Sequence, residues 1–300
     1  MTVPVLDTRP TVLLDRITRE VPAADVTRGT GALADLLHRR YALTSPAAPA
    51  PDPGGACGLL LEDAGLVRRI VHLLGRRFCW EGGWRLAGAD GGVRWLVERD
   101  GLVLSVADDE LALTRGGVRV RFPAEPAPAC PGWFAATATA GPARGLRASA
   151  YLNGGAPARA VVFTDLLLGL DRLGIPATAR VLTDSSVERP DSVVVSVARA
   201  DLPVLVRLAL GLPGRTLGAA VPGFARPLAP GVAVADDPAC GEPFLRHRCR
   251  VVAAGLTAAG PDAGAAERRT AVEAALAGEG LDPGALHLDP GSTDPELSMW

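Results

Sequence analysis

An α+β fold, with a mixed and largely antiparallel sheet flanked by helices, is what the sequence predicts, and three observations predict it. Apolar residues recur at helical spacing through the first eighty residues, the period drops to two from Trp84 onward, and beyond residue 145 strand-like and helix-like segments alternate. Three hundred residues with 48% hydrophobic content supply ample material for a buried core. The expectation is one domain over residues 1–300, with 1–80 a helical N-terminal part containing a mobile proline-rich loop (44–55), and 84–292 the α+β core.

Residues 10–20 and 30–41 read as helices. In the second, Leu33, Leu36, Leu37 and Tyr41 form an apolar stripe, and Thr30 is available as an N-cap. The proline-rich run from Thr44 to Gly55 favours extended backbone and reads as a linker or mobile loop. A further helix is expected over 58–77. Val93, Trp95 and Val97 then alternate with Arg94, Leu96 and Glu98, and Arg99-Asp100-Gly101 turns the chain into Leu102–Val106, which predicts a β-hairpin. Val118–Phe122 alternates apolar residues with arginine as a third strand, and an antiparallel meander is the simplest arrangement.

The second half predicts strands at 146–152, 177–182 and 192–197, and helices at 158–173, from Asp201 to about Leu210, at about 242–256 and at 265–277. Pro222–Pro238, rich in Gly and Pro, reads as a long loop. The tail after Leu288 has too little apolar content for another helix, and no internal repeat is visible.

Charge narrows the function classes. The chain carries a net −2 with 31 basic residues, every one of them arginine. Its pI is near 6.1. No broad basic field marks it as a nucleic-acid or membrane-surface binder, so neither is expected as a partner. The opening residues carry no signal peptide, no apolar run reaches the roughly 18 residues of a spanning helix, and the five cysteines are widely spaced, so a cytoplasmic chain with reduced thiols is expected. No Cys-x-x-Cys and no paired histidines appear, and no metal is expected. Gly29-Thr30-Gly31 imitates a dinucleotide fingerprint but follows a polar stretch instead of a strand; no Walker lysine and no Gly-x-Ser-x-Gly elbow exist.

Glu242–Arg250 is the most informative segment. Helical spacing puts Leu245, Cys249, Val252 and Leu256 on one stripe and His247 opposite it, with Arg246, Arg248 and Arg250 spread around the imidazole. An exposed arginine face is one reading; guanidinium forks suited to a phosphate dianion are the other.

The run Phe224–Val232, then Asp236-Asp237-Pro238, Gly241-Glu242, Phe244 and His247–Arg250, resembles the signature of Hop-type effector-like lyases, the lyase subunits of class V lanthipeptide and thioamitide synthetases. Tyr151-Leu-Asn153, Gly174-Ile-Pro176 leading into Arg180-Val-Leu182, Arg189-Pro-Asp191-Ser192 and Asp289-Pro-Gly-Ser292 extend the likeness over most of 145–292; the segment Leu36–Tyr41 and Trp84 after Gly82-Gly83 extend it weakly towards the N-terminus. The resemblance implies a two-enzyme dehydration. A separate phosphotransferase-like kinase phosphorylates Ser or Thr of a precursor peptide, and the lyase eliminates phosphate to leave dehydroalanine or dehydrobutyrine, with no cofactor.

On that resemblance the catalytic residues would be His247, Arg180 and Tyr151, and the phosphate- or substrate-binding residues Arg226, Arg248, Asn153 and Asp191. The sequence departs from the family pattern where lysines are expected, at Arg180 and Arg226, and at Pro243 and Leu245, where small or hydroxyl residues are expected. Arginine has almost no neutral form near pH 7 and is a poor base. Three outcomes stay open: His247 takes the proton, aided by Tyr151; an unusual environment activates Arg180; or the chain has lost the chemistry and is a non-catalytic subunit that binds the kinase or the precursor peptide.

Overall fold

A computed structural model describes residues 10–43, 62–92, 94–124, 132–212 and 217–294. The expected loop at 44–55 lies outside them, as does the beginning of the helix expected from residue 58. The fold is α+β, with two antiparallel sheets and helices packed on them.

The N-terminal part contributes α1 (Pro10–Glu20), a short α2 (Ala23–Val26) and α3 (Thr30–Leu37), which passes directly into a π-helical turn over His38–Ala42. Leu33, Leu37 and Tyr41 are buried along the anticipated stripe. Gly29, not Thr30, occupies the N-cap position. α4 spans Ala64–Leu74, and Asp63 caps it by accepting from the amides of Gly65 and Leu66 at 2.8 and 3.1 Å.

β1 (Phe78–Asp90) begins six residues before the change of period at Trp84 and pairs with β2 (Arg94–Arg99), which pairs with β3 (Leu102–Ala107). Asp100 and Gly101 both adopt positive φ, 50° and 79°, as a two-residue hairpin turn of matching twist requires. β4 (Leu111–Thr114) and β5 (Gly117–Pro123) return to the other side of β1, giving the order β3-β2-β1-β5-β4. The simple meander is therefore corrected. β1 is long enough to pair with a hairpin on each side, with Trp84, Val97, Val106, Val118 and Val120 buried together.

The second sheet is built from β6 (Trp133–Thr137), β7 (Arg147–Leu152), β8 (Ala177–Leu182), β9 (Val193–Ala198), β10 (Arg226–Ala229) and β11 (Val232–Asp236), in the order β10-β11-β7-β9-β8-β6. β10 and β11 correct the expected loop at 222–238. Pro227 is tolerated because β10 is an edge strand, and the Val-Ala-Val-Ala of β11 is a period-two pattern that its Gly and Pro neighbours obscure.

Side-chain alternation splits this sheet into two faces. Ala148, Ala150, Leu152, Ala177, Ala179, Val181, Val193, Val195 and Val197 are buried with α5 (Arg159–Arg172) and α6 (Leu202–Leu210). Asp201 stands at the N-cap of α6, but its side chain makes no capping bond. On the opposite face Tyr151, Val194, Ala233 and Ala235 pack with α1, α3, α7 (Phe244–Ala259) and α8 (Ala265–Gly278). α7 and α8 approach so closely that a Cβ at Gly255 would lie 2.5 Å from the Val272 Cα.

Candidate functional site

The second face of the sheet is not wholly covered. The register aligns Tyr151, Val194 and Arg180 across β7, β9 and β8, and in the next row Ser149, Ser196 and Thr178. Arg147 precedes them on β7, and the segment from Asp237 to Phe244 leads the chain from β11 into α7. These elements enclose a cavity of about 190 Å³ lined by Arg147, Ser149, Tyr151, Thr178, Arg180, Ser196, Asp237 and Glu242, with Pro243 and Phe244 at the start of α7.

Its electrostatics are sharply divided. The Arg180 guanidinium stacks over Trp133 with its central carbon 5.3 Å from the ring centroid, and its Nε is buried with no hydrogen-bond partner among the described residues. Arg189 stacks at the same 5.3 Å over the same indole and holds Asp191 through two bonds of 2.9 and 2.8 Å. No side chain caps the first turn of α7, so its amide dipoles face the same region. Opposite these, Asp237 accepts from Ser149 Oγ at 2.6 Å, with Arg147 Nε 3.4 Å away, and Glu242 accepts from Arg250 at 3.0 Å. Burial pushes the Tyr151 hydroxyl far above its ordinary value, and nearby Asp237 adds to this, so the phenol stays protonated.

Of the seven residues singled out in the sequence, Arg180 and Tyr151 meet at this cavity. Asp191 is buried beside it, within Coulombic reach of Tyr151, but engaged with Arg189. Asn153 lies at the end of β7, donating to the Ala220 carbonyl at 3.1 Å. Arg226 sits on the edge strand and pairs with Asp294.

The α7 residues differ most from expectation. His247 is only 5% exposed and is not turned to solvent, because α7 is covered by α3, α8 and the sheet rather than along one stripe. Arg248 is fully buried: Nε and Nη2 donate to the carbonyls of Leu286 and Leu288, each at 2.8 Å, and Nη1 donates to His247 Nδ1 at 2.6 Å. A guanidinium can only donate, so Nδ1 is the acceptor and the neutral ring carries its proton on Nε2. Burial, then the charges of Arg248 and Arg250, lowers the His247 pKa and keeps that ring neutral. Arg246 pairs with Asp35, and Arg250 with Glu242 and Glu279. Of the two readings of these arginines, the exposed face holds for Arg246, whereas Arg248 is corrected from a phosphate fork to an occupied structural clamp.

Cys240, Glu242 and His247 bring potential metal-ligating atoms within 4.8 Å of one another. The protonated Nε2 and the two guanidiniums beside it oppose a cation there, so this group reads as a polar wall behind the cavity.

Arg147, Ser149, Thr178, Ser196, Asp237 and Glu242 were not selected from sequence. The signal was present in β7, where Arg147, Ser149 and Tyr151 alternate with alanines, but a polar residue facing a cavity and one facing water give the same pattern.

Fold and cavity define an α+β protein with an arginine-rimmed, hydroxyl-floored pocket on one sheet face. Residues 130–288 match the model of the HopA1 effector protein family, and the chain belongs to that family. Of solved structures, the effector protein from Pseudomonas syringae pv. syringae strain 61 is similar over 94% of this chain and 98% of its own, at 13% identity and a TM-score of 0.54. The effector protein from Pseudomonas syringae pv. tomato strain DC3000 is similar over 53% of this chain and 63% of its own, less than two thirds of its length, at 16% identity and a TM-score of 0.41. No curated protein matches in sequence. Among the described residues no helix is long and apolar enough to cross a membrane.

Proposed function

We propose that this protein is a carbon–oxygen lyase that eliminates phosphate from phosphoserine or phosphothreonine in a precursor peptide, leaving dehydroalanine or dehydrobutyrine, as the lyase subunits of lanthipeptide and thioamitide synthetases do. A separate phosphotransferase-like kinase would supply the phosphopeptide. The observation that carries this reading is Arg180: a guanidinium oriented by Trp133, with no hydrogen-bond or ion-pair partner among the described residues, at the rim of a cavity that the uncapped end of α7 also lines. An oxyanion in the cavity would take charge-assisted bonds from that guanidinium, which neutralises its negative charge.

The elimination needs three things from the chain: cationic donors for phosphate, a donor for the departing oxygen, and an acceptor for the Cα proton. Arg180 and the α7 amides serve the first. Tyr151, held protonated by burial, serves the second. Arg180 itself is not the acceptor, and His247 has its Nδ1 occupied by Arg248.

A non-catalytic subunit that binds the phosphopeptide or the kinase is the second reading, favoured by the absence of lysine from the whole chain. Incubating the purified protein with a synthetic phosphothreonine peptide and following its mass separates the two. The lyase reading expects loss of phosphoric acid, abolished in Arg180→Gln. Binding without any change of mass refutes it and leaves the binding subunit.

A further inference from the structure

We infer that Ser196, Ser149 and Asp237 form a one-way proton relay along the wall of the cavity, with Ser196 as the group that meets the substrate proton and Asp237 as its final acceptor. The inference rests on the lyase reading and supplies the base that this reading lacks.

Donor accounting fixes the direction. A carboxylate only accepts, so the 2.6 Å contact between Ser149 Oγ and Asp237 Oδ1 uses the single Ser149 proton. Ser149 Oγ and Ser196 Oγ are 2.7 Å apart, and since the Ser149 proton is committed, Ser196 is the donor in that pair. Every hydroxyl proton in the chain therefore points inward. Both serines line the cavity; Ser149 is buried, and the half-buried Ser196 presents lone pairs there with no proton of its own to offer. An ordinary hydroxyl floor for a phosphate would present donors; this one presents an acceptor, one row from Arg180 on the neighbouring strand. The Asp237 charge is held in place by Arg147 Nε at 3.4 Å and by its own amide, which donates to the Arg147 carbonyl at 3.0 Å.

The step balances. The Cα–H bond breaks and its proton goes to Ser196 Oγ, as the Ser196 proton moves to Ser149 Oγ and the Ser149 proton to Asp237 Oδ1. The electron pair left at Cα forms the Cα–Cβ double bond, and the Cβ–O bond breaks with its pair leaving on the phosphate at Arg180. Asp237 ends as the carboxylic acid and returns its proton to water. Passing the proton along these short hydroxyl contacts makes Asp237 its final acceptor while Ser196 is the atom that meets the substrate.

The test uses the full chain and a synthetic phosphothreonine peptide, measuring phosphate release in water and in water–deuterium oxide mixtures, with peptide affinity measured separately. Wild type is expected to turn over with a rate that curves downward against deuterium fraction, the mark of several protons in flight. Asp237→Asn and Ser196→Ala should each lower kcat by about a hundredfold or more while affinity stays within about twofold. Ser196→Ala, at the half-buried end, guards against a folding failure of the Asp237 variant. Ser149→Ala should abolish the curvature in whatever turnover survives. An active wild type whose Ser196→Ala variant matches it in rate and curvature overturns the relay and leaves the lyase intact. A wild type that binds the peptide but never releases phosphate overturns both together.

Discussion

Two arginine-rich regions of this chain use the same side chain in opposite ways. In α7, Arg248 is completely buried and its donors reach the Leu286 and Leu288 carbonyls and the His247 ring, so the guanidinium stitches the C-terminal segment 286–289 to the helix. At the sheet, Arg180 is half-buried, is propped by an indole and lines a cavity without a hydrogen-bond or ion-pair partner among the described residues. The lesson is that an arginine cluster in sequence reports neither role. What separates a clamp from a site is whether the protein itself has already satisfied the donors.

The sharpest way to break that comparison is Arg248→Met. Removing a buried guanidinium leaves two carbonyls and an imidazole without their donor, and a loss of about 3–5 kcal/mol in stability is expected by urea unfolding. A stable, phosphopeptide-blind variant would instead put Arg248 in the site.

Acid probes the histidines that both regions keep neutral. His38, in the π-helical turn, has its pKa lowered from 6.5 to about 4, mainly by burial and further by Arg189 and Arg246, with Asp191 and Asp35 opposing. The unfolded chain then binds the extra proton first, so the sign is fixed. Stability is complete above the ordinary histidine value and falls as pH drops from 6.5 towards 4, by up to about 3 kcal/mol from this group. His247, lowered in the same direction, adds to it. Thermal melts at pH 7.5, 6 and 5 should show the decline, and His38→Asn should flatten it; an unchanged slope would mean that His38 is protonated in the folded state.

Arg180→Gln sharpens the other half of the comparison. Losing charge-assisted bonds to phosphate should weaken phosphothreonine-peptide binding by roughly ten- to a hundredfold with little change in melting temperature. A large stability loss instead would make Arg180 a second clamp. Trp133→Leu is the mildest test. With the stacking of Arg180 and Arg189 removed, a two- to fivefold weakening is expected from about 0.5–1 kcal/mol of cation–π energy, read by the same binding titration.

Local pattern was enough for α1, for β8 and for the hairpin turn at Asp100-Gly101, because periodicity and turn chemistry act over a few residues. It failed at β10 and β11. Pro227, Pro230 and Gly231 mark a loop on their own account, and only pairing with β7 makes a strand of what surrounds them. The site divides in the same way. Arg180 and Tyr151 were legible from the family motifs, and Asp237 stood in one of them without being singled out, but Ser149 and Ser196 were not, since a serine in a strand carries no mark of what lies opposite it.

By itself, then, the sequence determined the α+β class, the placement of most elements, the family likeness and the absence of a lysine base, all properties of composition or of short-range order. Only the tertiary structure decided that α7 is covered on nearly every side, so that His247 and Arg248 lie inside it. It also decided that β7 pairs with β9 rather than with β8, which sets Tyr151, Ser149, Ser196 and Arg180 side by side. The physical reason is that burial and hydrogen-bond satisfaction belong to neighbours brought together by long-range packing, and a side chain cannot carry that information in its own identity.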